Sequence, residues 1–223
     1  MTGHRPGFLP PPVVLVEARH DAADDTAWPE ELAVVAASSP GRRAEYVTVR
    51  HCARRALSDL GYPPAAILDD AKGAPVWPAG VIGSLTHCRG YRAAAVARQA
   101  DLAVLGLDAE PAAALPAGVL RRISTDREFQ SMADLTSAET SLPWDRLLFS
   151  AKESVYKAWY PLVRLGLGFH EVEIALHPNG RGELVFLRPV PSAVGRLDWQ
   201  LGWDVADAVI TTVVWAVVQG NAD

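Results

Sequence analysis

Leu105-Gly106-Leu107-Asp108-Ala109-Glu110-Pro111 and Phe149-Ser150-Ala151-Lys152-Glu153-Ser154-Val155-Tyr156-Lys157 are the two stretches from which the rest of the chain can be read. In the first, an apolar run ends in two carboxylates one residue apart. Side chains alternate across a strand, so Asp108 and Glu110 project to the same side and invite a cation. In the second, no Gly or Pro interrupts Trp144 to Tyr160, and Leu147, Leu148, Ser154/Val155 and Trp159 recur at helical spacing. Glu153 and Lys157 then share one helix face. A third carboxylate flanked by two lysines complements the strand-borne pair if the ligand is an anion accompanied by a hard metal. Mg²⁺ takes oxygen ligands and bridges one or two carboxylates to substrate phosphates, while lysines neutralise the oxygens it does not reach. Taken singly, each motif has an ordinary alternative. Asp-x-Glu also ends solvated strands, Glu153 and Lys157 suit a plain helix ion pair, and Ser150-x-x-Glu153 fits a capping box.

The 223 residues are 49% hydrophobic and 21% charged, a globular composition long enough for one large domain or two small ones. A net charge of −5 argues against a nucleic-acid partner. Two cysteines, Cys52 and Cys88, make neither a disulfide framework nor a zinc module. The start, Met1 to Pro12, is Gly/Pro-rich rather than leader-like, and no apolar run approaches membrane-spanning length. The expectation is a cytoplasmic protein with no membrane partner.

Val13–Glu17 reads as a first strand and Pro29–Ala37 as a helix, with an acidic turn from Asp21 to Trp28 between them. A second, basic helix runs from Arg42 to Leu60, closed by Gly61, and places Arg42 and Arg50 on one face two turns apart. Val81–His87 and Tyr91–Ala97 read as a hairpin. After the Asp108 strand come a loop to Pro116 and a helix from Ala117 to about Met132, with an exposed, mobile close at Thr136–Thr140. The Trp144 helix is expected to stop at Pro161. Four strands follow, over Phe169–Leu176, Gly182–Leu187, Asp198–Asp204 and Ala208–Val218.

Together the two opening stretches resemble the signature of the 4′-phosphopantetheinyl transferases of the Sfp/EntD type, (I/V)-G-(I/V)-D-x-E followed by (W/F)-(S/C)-x-K-E-(A/S)-x-x-K. Gly106, Asp108, Glu110, Phe149, Ser150, Lys152, Glu153, Ser154 and Lys157 match, with Leu105 and Leu107 as conservative replacements. The likeness is strongest to the family's actinobacterial branch, covers most of Arg42 to Phe169 and fades thereafter. It implies an α+β fold of two similar α/β subdomains related by a pseudo-two-fold, 1–105 and 106–223, with the active site in the cleft between them.

By the same resemblance, Arg42, Arg50, Lys72, Thr86, His87, Asp108 and Lys152 would bind coenzyme A. Asp69 and Asp70 put acid where some relatives carry a base. Asp108, Ala109 through its backbone, Glu110 and Glu153 would hold Mg²⁺. Glu153, Lys152 and Lys157 would be catalytic, with Glu153 the general base. The implied reaction is Mg²⁺-dependent transfer of the 4′-phosphopantetheine arm of coenzyme A to a serine of an apo acyl or peptidyl carrier protein, or of a carrier domain of polyketide and nonribosomal peptide synthases. It releases 3′,5′-ADP, and the enzyme would be a monomer. The alternatives are a coenzyme A or nucleotide-binding module without transferase activity, and a Mg²⁺-dependent phosphatase.

Overall fold

The computed structural model describes residues 7–218, so the first six residues of the Gly/Pro-rich start lie outside the described residues. In chain order, β1 (Val14–Ala18) leads to the short helix α1 (Pro29–Val34), the long helix α2 (Pro40–Asp59), and the hairpin β2 (Val81–Cys88) and β3 (Tyr91–Arg98). The second half opens with β4 (Val104–Pro111), followed by α3 (Val119–Ile123), α4 (Asp126–Ala138) and α5 (Trp144–Val163). It ends with β5 (Val172–His177), β6 (Arg181–Phe186), the short α6 (Ser192–Gly195), β7 (Leu197–Ala206) and β8 (Val209–Val218).

The strands form two antiparallel sheets, ordered β1-β3-β2 and β4-β8-β7-β6-β5. Both repeat one plan: a strand, a helix of 20 residues, then a hairpin whose last strand returns to pair with the first. The second sheet adds the β5-β6 hairpin at its edge. This is the α+β fold of two similar subdomains.

Each helix lies on its own sheet over its own core, with Cys52, Ala53, Ala56 and Leu57 of α2 in one and Leu147, Leu148, Ala151 and Val155 of α5 in the other. A third cluster joins the halves: Tyr91, Ala93, Ala95 and Ala97 of β3 pack with Leu105, Leu107 and Ala109 of β4 and with Val213 and Trp215 of β8. The sheets also meet edge to edge at β2 and β4, where hydroxyls take the place of a backbone ladder. Ser84 Oγ accepts from Leu107 N at 2.9 Å, and Thr86 Oγ1 accepts from Ala109 N at 2.9 Å. The two pairs share one offset, so β2 and β4 run parallel along this seam.

Gly106 lets α5 reach β4: a Cβ there would sit 2.0 Å from Ser154 O and 2.7 Å from Ala158 N. Only a glycine permits this approach, which brings the acid-bearing strand under the Glu153 helix.

Four sequence expectations change. Helix α5 runs through Pro161 to Val163, because a proline so near the helix end removes one hydrogen bond and leaves no further turn to disrupt; Arg164 then caps the helix at φ 60° with its N–H on Tyr160 O. The helix expected from Ala117 is two, split where Ser124 turns extended and Thr125 caps α4 in a capping box with Glu128. Thr136–Ala138, expected to be mobile, is the last turn of α4. Phe169–Glu171 is a 3₁₀ turn ahead of β5 rather than strand.

Candidate active site

The site is organised around Asp108. Its Oδ1 accepts from Lys157 Nζ at 2.8 Å and Thr86 Oγ1 at 3.3 Å, and its Oδ2 from Ser150 Oγ at 2.8 Å. Lys157 Nζ also donates to Leu107 O and Leu85 O, so this ammonium sits astride the β2/β4 seam. Glu110, on the same strand face, accepts from Arg146 Nη1 at 2.9 Å. Burial, followed by the charge of Asp108, pushes Glu110 above the usual carboxylate range against the pull of Arg146.

Glu153 differs from both. Among the described residues its carboxylate has no hydrogen-bond or ion-pair partner. Burial raises its pKa, with Asp108 and Glu110 adding to the shift and Lys157 opposing it.

A cavity of about 350 Å³ opens where α2, the 69–75 loop, β2 and α5 meet, and Arg42, Arg50, Lys72, His87, Glu153 and Lys157 line it. Its volume is in the range of small-molecule sites. Arg42 is half-exposed and donates to His87 Nε2 at 2.9 Å. Guanidinium groups only donate, so Nε2 accepts and the imidazole is neutral. Burial lowers the pKa of His87, with Arg42 acting in the same direction and Glu45 against it.

Arg50 is buried under the cavity wall. It donates to Asp69 Oδ1 at 2.5 Å and to Ile67 O at 3.2 Å, and it lies over the Tyr46 ring at 3.5 Å from the centroid. Asp70 is turned away toward Arg164 at 2.6 Å and receives the Lys72 and Ala74 N–H groups. The acids at 69 and 70 thus fasten this loop to both halves, while the Lys72 side chain stays exposed at the rim. A second cavity of about 210 Å³ adjoins the first; Leu167, Phe169 and Val172 line it, and it shares Glu153 and Tyr156 with its neighbour.

Two expected site residues spend their side-chain polar groups on the protein. Lys152 is fully covered, and its three N–H donors go to Glu128 at 2.8 Å, Phe169 O at 2.5 Å and Val172 O at 3.0 Å. With every donor taken by the protein, Lys152 is held as a buried ion pair in the wall of the second cavity. It lies one residue from Glu153 on a 3.6-residue turn, which sends its side chain toward α4 and β5. Thr86 is also buried, its hydroxyl bound to Asp108 and to Ala109 N, while Gly83, Ser84, Leu85 and His87 of the same strand line the cavity.

Ala109 turns its methyl into the core between the halves. Among the described residues no three His, Cys, Asp or Glu side chains are gathered closely enough to hold a metal ion by themselves. Asp108, Glu110 and Glu153 nonetheless fit Mg²⁺ chemically: all are hard oxygen donors, two have pKa values raised by burial and then by the charge of Asp108, and such an ion completes its shell with water and ligand phosphates.

The sequence reading missed Arg146, which holds Glu110, and Glu45, which lies 3.7 Å from Arg42 and 3.5 Å from His87. Arg146 was findable, since 146, 150, 153 and 157 follow the helical stripe that carries the rest of the site. Glu45 was not, because besides Arg42 its partners His87 and Arg92 come from a distant hairpin.

Residues 29–97 match the family described as 4′-phosphopantetheinyl transferase N-terminal domain, and residues 104–213 match the 4′-phosphopantetheinyl transferase superfamily. The chain is 48% identical to the 4′-phosphopantetheinyl transferase Svp of Streptomyces mobaraensis, across 97% of this chain and 91% of that protein. It is 50% identical to PptT of Mycobacterium tuberculosis, across 70% of this chain and 68% of that one. For Npt of Nocardia iowensis the identity is 42%, across 93% and 97%. The Svp and Npt matches extend over most of the chain, beyond the stretch that carries the motifs. No helix among the described residues is long and apolar enough to cross a membrane.

Proposed function

Because the chain belongs to the 4′-phosphopantetheinyl transferase superfamily, we propose that it moves the 4′-phosphopantetheine arm of coenzyme A to a serine of an apo acyl or peptidyl carrier protein and releases 3′,5′-ADP. The observation that carries this reading is the position of Glu153. It is a partnerless carboxylate at the junction of a cation-lined cavity and an apolar one.

Coenzyme A has the same division. Its nucleotide and phosphates suit the cavity of Arg42, Arg50, Lys72 and His87, and its pantetheine arm suits the channel of Leu167, Phe169 and Tyr156. The diphosphate then falls beside Lys157 and Glu153. Arg42 and Lys72 present accessible charge, whereas Arg50, already bound to Asp69, shapes the wall and supplies a shielded positive field.

In the reaction the carrier serine Oγ attacks the phosphorus that bears the pantetheine arm. The bond from that phosphorus to the oxygen of 3′,5′-ADP breaks, and the serine proton passes to Glu153. A carboxylate raised by burial is suited to take that proton near neutral pH. Lys157 stabilises the charge growing on the bridging and leaving oxygens, the main task in phosphoryl transfer. Asp108, Glu110 and Glu153 are the residues that would hold Mg²⁺, which when bound neutralises diphosphate charge. The two subdomains, read as 1–105 and 106–223, supply opposite walls of the cleft.

The test is incubation of the protein with coenzyme A, Mg²⁺ and an apo carrier domain, followed by intact mass. A carrier heavier by one phosphopantetheine group supports the reading. Coenzyme A binding with an unchanged carrier mass would favour the inactive binding module, and carrier-independent breakdown of coenzyme A would favour a phosphatase.

A further inference from the structure

Thr212 lies on β8 directly opposite Asp108 on β4, and facing residues of an antiparallel pair put their side chains on one side of the sheet. Above them α5 contributes Ser150 and Ser154, one turn apart. Ser150 Oγ is 2.9 Å from Thr212 Oγ1, and Ser154 Oγ is 2.7 Å from it and 3.0 Å from Thr212 O. All three hydroxyl residues are fully buried.

Each hydroxyl has one proton to give, and an ionised carboxylate can only accept. Ser150 gives its proton to Asp108 Oδ2. Thr212 must therefore donate to Ser150, while the proton of Ser154 is shared between Thr212 O, which can only accept, and Thr212 Oγ1. The charge of Asp108 thus orders the relay in one direction, Thr212 to Ser150 to Asp108. With Lys157 and Thr86 on Oδ1 and Ser150 on Oδ2, three of about four lone-pair sites are filled. The direction of the remaining one depends on how the carboxylate is turned about its terminal torsion, which is intrinsically broad.

We propose that Thr212 is a positioning residue: acting through Ser150, it fixes the rotation of the Asp108 carboxylate and so aims its open lone pair at the metal-phosphate ligand. The proposal rests on the reading of Asp108 as a ligand of that metal.

Valine has the shape of threonine without the hydroxyl, and in Thr212→Val the backbone carbonyl still accepts from Ser154. Thr212→Val is expected to lower kcat by about 2- to 10-fold, the scale of one neutral hydrogen bond, and to weaken Mn²⁺ binding by a similar factor. Mn²⁺ is read on the coenzyme-free protein by electron paramagnetic resonance. KM for coenzyme A and the melting temperature should stay near wild type, and Thr212→Ser should restore both kcat and Mn²⁺ affinity. Ser150→Ala should reproduce the loss, and adding Thr212→Val to it should cost nothing more, because the two act in series.

Unchanged kcat and Mn²⁺ affinity in Thr212→Val, failure of Thr212→Ser to restore them, or full additivity with Ser150→Ala would overturn the proposal. Asp108→Asn is the control for the underlying reading. If it leaves Mn²⁺ binding intact, the metal assignment fails; if it abolishes binding while Thr212→Val does not weaken it, only the positioning role fails.

Discussion

The two halves use the same strand, helix and hairpin for opposite charges. Helix α2 turns Arg42 and Arg50 to the cleft, whereas α5 turns Glu153 and Lys157 to it above the acidic end of β4. A duplicated plan thus sets a cationic wall against a carboxylate-rich one across a single cavity. An anionic ligand can lodge on one wall and react on the other. The same contrast recurs within α5: Lys152 and Lys157 belong to one motif, yet one is closed into the core with Glu128 and the other opens onto the site.

The strongest way to break this division is at its acidic wall. Glu153→Gln keeps the shape and the helix but cannot take a proton, so kcat should fall on the order of 10²–10⁴-fold with the melting temperature preserved. If turnover at saturating coenzyme A, carrier and Mg²⁺ stays near wild type, Glu153 is not the base. Recovery of much of the loss with excess Mg²⁺ would make it a metal ligand instead.

Next in size is the contrast between the lysines. Lys152→Met leaves Glu128 buried without its counter-ion, a loss of about 3–5 kcal/mol of stability. Denaturant titration should show that loss, while the fraction still folded turns over normally. Lys157→Met also strips Asp108 of its counter-ion, but it should differ in losing kcat in the fraction that stays folded. Equal behaviour of the two variants would erase the distinction drawn from their partners.

The cationic wall should respond more modestly. Arg42→Ala removes an accessible charge-assisted contact, about 1.5–3 kcal/mol, so KM for coenzyme A should rise by about 10-fold or more with KM for the carrier unmoved. Steady-state kinetics in each substrate separates the two, and a rise only in the carrier KM would move Arg42 off the coenzyme wall.

The smallest effect is expected at Cys88, beside the acidic pair. Burial and the charges of Glu110 and Asp108 push its thiol up to about 11, so little thiolate exists at neutral pH. Iodoacetamide at pH 7.5 should leave activity intact; rapid inactivation traced to Cys88 would contradict that environment.

Much of this was legible in the sequence because it is local. The β2-β3 hairpin follows from alternation around Cys88-Arg89-Gly90, and the β5-β6 turn from Asn179-Gly180, whose glycine has φ 81°. The face shared by Glu153 and Lys157 follows from helical spacing alone. What could not be read depends on long-range partners. Nothing near Lys152 announces Glu128, and nothing near Thr86 announces that its hydroxyl would join two sheets. Pro161 misled for a related reason: its cost depends on how much helix remains beyond it.

The seam and the second sheet also set a timetable for building the site. Ser84 and Thr86 meet β4 across only 23 residues of chain, so that edge can form as soon as β4 exists. The other edge of β4 has no partner until β8, which follows every other strand of that sheet in the chain. Until then the acidic strand is half-paired and Asp108 lacks the strand that faces it. A nascent chain that stops short of β8 would therefore carry a formed arginine helix but no working acid centre. Slow non-local pairing of this kind is also where chaperone dependence and misfolding losses should concentrate.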